Sequence, residues 1–181
     1  MKRKDSRASI KHLTVSAMLV ALGVIFLGIG ALLEVLDVSM AVIASLCVII
    51  AIIEYGKGTP WMVYAAISVL SFLLIPNKLP SIFFTLFFGF YPILKEKLEK
   101  RKPIIRWILK ELIFNVCLAA IMLIYFLLFF QGLSLNTPIS LPWIIAIAVI
   151  FCEGIFILYD IALTKMITFY VIHLRKRLKL K

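Results

Sequence analysis

Lys95-Glu-Lys-Leu-Glu-Lys-Arg-Lys-Pro-Ile-Ile-Arg-Trp-Ile-Leu-Lys110 is the one long polar interruption in an otherwise apolar chain, and it holds seven basic residues. Four apolar segments precede it and two follow. Placing this stretch on one side of a bilayer therefore assigns a side to every other loop by counting. Its surroundings are membrane-like: 64% of the 181 residues are hydrophobic and only 16% charged, whereas a soluble domain keeps about a quarter of its residues charged. A net charge of +11 would suggest nucleic acid in a soluble protein. Here the basic residues sit in blocks at the ends of apolar runs, as cytoplasmic anchors do, and nucleic acid is set aside.

A helix needs about 20 apolar residues to cross the hydrocarbon core, fewer where neighbouring protein shields its ends. This predicts an all-α polytopic membrane protein in one integral domain, residues 1–181, with helices near 12–33, 38–53, 61–75, 81–94, 105–130 and 142–163. The first run has a basic start like a signal peptide's but continues without a convincing cleavage site, and is expected to be a retained helix. Pro76 and Pro80 end the third segment by removing backbone donors. Gly89 and Pro92 predict that the fourth is kinked or partly re-entrant and shielded by other helices, since bare backbone cannot face lipid. The sixth is expected to continue as an amphipathic segment to about Leu174.

With six crossings both termini and the central basic stretch fall on one side. Every one of the 20 Lys and Arg residues except Lys78 is then cytoplasmic, and the acidic turn from Glu34 to Asp37 is external. The positive-inside rule asks for that asymmetry, and one helix more or fewer would spoil it. A multi-pass protein of a prokaryotic plasma membrane is expected.

Few residues carry chemistry. Cys47, Cys117 and Cys152 lie inside apolar runs without Cys-x-x-Cys spacing or clustered His, so no disulfide framework, metal or cofactor is expected. His12 and His173 both fall at cytoplasmic ends, and no serine or paired-glutamate protease motif is present, so an enzyme is not expected. With no Gly-rich phosphate loop, any ATP chemistry would belong to a partner. In the sixth helix Glu153 and Asp160 are seven apart and share a face. A carboxylate at mid-depth must be paired, neutralised or turned to a cavity. Asp160 is expected to pair with Lys110 or Lys165. Glu153 stays open between a structural bond to Asn115, a protonated acid, and the floor of a ligand pocket or proton site. Outer-side polar groups, Asn77 and Lys78 between prolines and Trp143 at a helix start, with Tyr125 as an aromatic wall, could line such a pocket. Trp143 as an interfacial belt residue and Lys78 as a solvated charge are the plainer alternatives.

Ala17 and Ala21, in Ser16-Ala-Met-Leu-Val-Ala-Leu-Gly23, are four apart and share a face of the first helix, with Gly28 close to it two turns on. Small residues so spaced let another helix approach closely. Six helices, cytoplasmic ends, a basic N-terminus and this Ala-x-x-x-Ala together resemble the substrate-binding S component of an energy-coupling-factor vitamin transporter. The likeness is one of layout, with only Ala17 and Ala21 matching a motif. It implies that those alanines face a transmembrane coupling subunit joined to two ATPase subunits, and that the chain captures a vitamin-like small molecule from outside. The absence of a Met-His start argues against a nickel or cobalt substrate. A non-transporting six-helix scaffold or regulator is the alternative; it would keep the Ala17 and Ala21 face and lack a ligand.

Overall fold

The structure, a computed structural model, describes residues 2–33, 35–56, 58–129 and 141–174, and these are helical with short turns between. In chain order they form α1 (Lys2–Leu33), α2 (Asp37–Tyr55), α3 (Thr59–Leu74), α4 (Leu79–Phe83), a π-helical turn (Phe84–Phe88), α5 (Tyr91–Leu98), α6 (Pro103–Phe129), α7 (Leu141–Phe169) and a second π-helical stretch (Tyr170–Leu174). Among the described residues four spans are long and apolar enough to cross a membrane: Ile10–Leu33, Asp37–Tyr55, Pro103–Ile124 and Ile147–Ile172. Several long apolar helices of this kind are compatible with a membrane protein. The third expected segment is present as α3, an apolar helix of 16 residues that is shorter than the four spans, and the fourth is broken into two.

Proline chemistry explains where the helices start. Pro60, Pro80 and Pro92 sit in the first turns of α3, α4 and α5, and Pro103 opens α6. At a first turn the missing N–H has no intrahelical partner to lose, and the fixed φ is already helical.

The chain divides into two compact units, Met1–Ile121 and Met122–Lys181. In the first, α1, α2 and α3 pack together through glycine. A Cβ added at Gly23 of α1 would lie 2.5 Å from Ile67 Cδ1 on α3, and one at Gly30 would lie 2.9 Å from Met40 Cβ on α2. Without a hydrophobic force separating helix from lipid, such close approach is what van der Waals packing between membrane helices requires. Gly28, by contrast, meets nothing within 4 Å. On α1 the glycines turned inward are thus Gly23 and Gly30, whereas Ala17 and Ala21 are exposed; α2 contributes buried Ala41, Ala44 and Ala51.

The expected kink in the fourth segment is a full break. Gly89 N–H donates to Phe84 O at 2.7 Å, an i−5 bond that widens the turn. Tyr64 on α3 donates its hydroxyl to Thr85 O at 2.8 Å, supplying a partner for a carbonyl inside the widened turn. Backbone irregularity at membrane depth is tolerated where protein surrounds it and satisfies its polar groups. Aromatic rings provide that cover: Phe87 lies 5.0 Å from Tyr91 and 5.4 Å from Phe114, and Tyr64 lies 6.1 Å from Phe84.

The second unit is dominated by α7. Phe156, Tyr159, Asp160 and Leu163 are buried along it, and Thr164 and Thr168 return their hydroxyls to carbonyls four residues earlier. The expected continuation beyond residue 163 is present as the last turns of α7 and the π-helical stretch to Leu174.

Candidate functional site

Ring contacts and ion pairs locate one end of the first unit. His12 on α1 stacks tilted on Tyr55 at the end of α2, 4.2 Å between centroids. Lys97 near the end of α5 places its ammonium 5.9 Å from the Trp61 ring at the start of α3. The broken α4 to α5 segment therefore returns to the end from which α3 set out. At that end the quoted basic stretch turns back on itself. Glu99 Oε1 lies 3.7 Å from Lys95 Nζ and 3.9 Å from Lys110 Nζ, although Lys95 and Lys110 are only 1% and 2% exposed. Two ammoniums that deep require a carboxylate beside them, because an uncompensated charge at a buried site costs several kcal/mol, roughly 3–5 when a partner is removed. Lys110 also lies 5.6 Å from the Trp107 ring of its own helix. Sequence reasoning treated the stretch as a cytoplasmic anchor in which Lys110 alone was a candidate for pairing, with Asp160, whereas the structure buries Lys95 as well and brings Glu99 to both.

The expected pocket draws Asn77, Lys78 and Asn115 from the first unit and Tyr125, Trp143 and Glu153 from the second, so neither unit contains it whole. Lys78 donates to Phe72 O at 2.6 Å and to Ile75 O at 2.5 Å. These are carbonyls at the C-terminal end of α3, where a cation meets both unused acceptors and the negative end of the helix dipole. Asn77 Oδ1 accepts from Leu79 N at 3.1 Å, shaping the turn into α4. Asn115 is exposed and donates to Glu111 O at 3.1 Å, one turn back on its own helix. Trp143 is 68% exposed, as an interfacial aromatic would be. Glu153 is half-buried. Tyr125 lies on α6 with its side chain outside the described residues, as do Gln131, Asn136, Glu34 and Lys57. Among the described residues no three His, Cys, Asp or Glu side chains gather as a metal would need.

A well-defined concavity among the described residues lies elsewhere, between α1 and α3 within the first unit. It is an open groove of about 880 Å³ with Ala17, Ala21 and Ala66 on its walls. Small side chains make it possible: two residues along a helix are about 200° apart, so Ala21 faces away from Gly23 and leaves the outer side of α1 low while the inner side packs on Ile67. Its polar lining is confined to His12, Ser16 and Thr59 at one end. A search for this signal in the sequence finds Ala17 and Ala21, but the α3 wall comes from residues some fifty positions on and is invisible there.

No known protein family, no curated protein and no solved structure matches the chain.

Proposed function

We propose that this chain is the substrate-capture subunit of an energy-coupling-factor type importer, lying as six crossings in a prokaryotic plasma membrane with both termini cytoplasmic. The observation that carries the reading is the division of small residues on α1: Gly23 and Gly30 serve internal packing, while Ala17 and Ala21 are exposed beside a groove. A face kept small and unused by the fold is one to which another helix can come close. The return of α5 to the starting end of α3 supports counting the broken segment as a crossing. The vitamin-like substrate would be captured from the outer side of the membrane, with Glu153, half-buried on α7, as a candidate polar contact. The transmembrane coupling subunit and its two ATPase subunits would act from the Ala17 and Ala21 side.

A second reading, a non-transporting scaffold or regulator, is favoured by the capping bonds of Lys78 and Asn77, which already employ two of the polar groups a ligand would use. Co-expression with an energy-coupling module, followed by native mass spectrometry of the purified chain, separates the two. The transport reading expects a small molecule retained on the chain, diminished in Glu153→Gln, and a complex with the module that Ala17→Trp abolishes without unfolding the chain. A chain that is ligand-free and does not co-purify with the module overturns it.

A further inference from the structure

We infer that the groove between α1 and α3 is a binding site for one anionic phospholipid, with an acyl chain along Ala17, Ala21 and Ala66 and the headgroup over His12, Ser16 and Thr59. Its dimensions select this occupant. From His12 to Ile25 the groove runs roughly 20 Å at about 1.5 Å per residue. One leaflet's hydrocarbon half plus one headgroup layer is about 20 to 22 Å, whereas a crossing helix would need an apolar track of about 30 Å. Polarity agrees: beyond Ser16 and Thr59 every lining residue is apolar, so the groove is amphiphilic in the sense a lipid is.

Charge selects the headgroup. The polar mouth lies at the end of the unit that carries exposed Lys11, Lys97, Arg101 and Lys102, where Lys100 already pairs with Glu96 at 3.5 Å. α3 begins there without a side-chain cap, so the positive end of its dipole also faces that mouth. An acyl chain gains little by leaving bulk lipid for a groove, since both are apolar. Selectivity therefore has to come from the headgroup, through attraction of basic residues for anionic lipid. The inference stands independently of the transport reading: a lipid in the groove is what covers the Ala17 and Ala21 face of the unassembled chain, and any partner helix docking there has to displace it.

The test uses the full chain in mild detergent, titrated with dioleoyl phosphatidylglycerol or dioleoyl phosphatidylcholine and read by native mass spectrometry. One phosphatidylglycerol per chain is expected to bind at least about tenfold more tightly than phosphatidylcholine. Ala21→Trp, which fills the groove, should remove that first adduct, while Val116→Trp on exposed α6 keeps it. Should Ala21→Trp fail to fold, Lys11→Ala with Lys97→Ala provides the second arm, expected to erase the preference for phosphatidylglycerol. Equal binding of the two lipids, a series of equivalent adducts showing annular lipid only, or retention of the first adduct in Ala21→Trp would overturn the inference. Failure to assemble with a coupling module leaves each of these readouts unchanged.

Discussion

Replacing Gly89 by alanine adds one methyl group at the break in the fourth segment. The new Cβ would lie 2.6 Å from Tyr64 Cδ2, 2.8 Å from Phe84 Cε1 and 2.9 Å from Phe84 Cζ. None of these is the free end of a flexible chain. Phe84 is 0% exposed, and Tyr64 is tethered by its hydroxyl to Thr85 O at 2.8 Å, so neither ring can swing aside without breaking packing or a hydrogen bond. Overpacking of this kind costs about 1–3 kcal/mol. Gly89 has helical φ and ψ (−77°, −43°), so alanine's better helix propensity returns up to about 1 kcal/mol. The net destabilisation is up to about 3 kcal/mol, and a mid-range value of about 1.5 kcal/mol lowers the thermal midpoint by roughly 3 to 6 °C for a chain of this size. Size-exclusion chromatography with fluorescence detection after graded heating in detergent measures it. Gly28→Ala is the matched comparison: nothing lies within 4 Å of its added Cβ, so the same substitution should leave the midpoint unchanged or raise it. Were Gly89→Ala as stable as Gly28→Ala, the close packing of α3 on the π-helical turn would be refuted.

Tyr64→Phe removes the donor to Thr85 O and should destabilise by about 1–3 kcal/mol, since the carbonyl stays in apolar surroundings; an unchanged thermal midpoint would show that the π-helical turn satisfies itself. Lys78→Ala removes the cation from the last carbonyls of α3 and should cost about 0.3–1 kcal/mol, seen as faster amide hydrogen exchange over Ser71 to Ile75; if exchange there is unaltered while binding of a ligand weakens, Lys78 is a ligand contact and not a cap. For the six-crossing topology, single cysteines at positions 78 and 136, in a background lacking Cys47, Cys117 and Cys152, should react with a membrane-impermeant maleimide added outside cells. Labelling at 136 from the cytoplasmic side alone would remove a crossing.

The helical class, the presence of several long apolar helices and the irregularity near Gly89 and Pro92 were legible in the sequence because each rests on local chemistry. A run of apolar residues makes a buried or lipid-facing helix wherever it occurs, and a proline starts or stops one whatever lies around it. The α6 boundaries, Pro103–Phe129 against an expected 105–130, show how far that local signal reaches. Three features were not legible, since each depends on side chains brought from distant segments. Ile67 and Met40 assign Gly23 and Gly30, not Ala17 and Ala21, to the interior of the bundle. The approach of Glu99 to Lys95 and Lys110 ties two buried cations of the basic stretch into one cluster. The position of α3 beside α1 makes a groove out of an alanine face that the sequence shows as one stripe on one helix. Periodicity reports which residues share a face, and only the packing of neighbouring helices decides what that face meets.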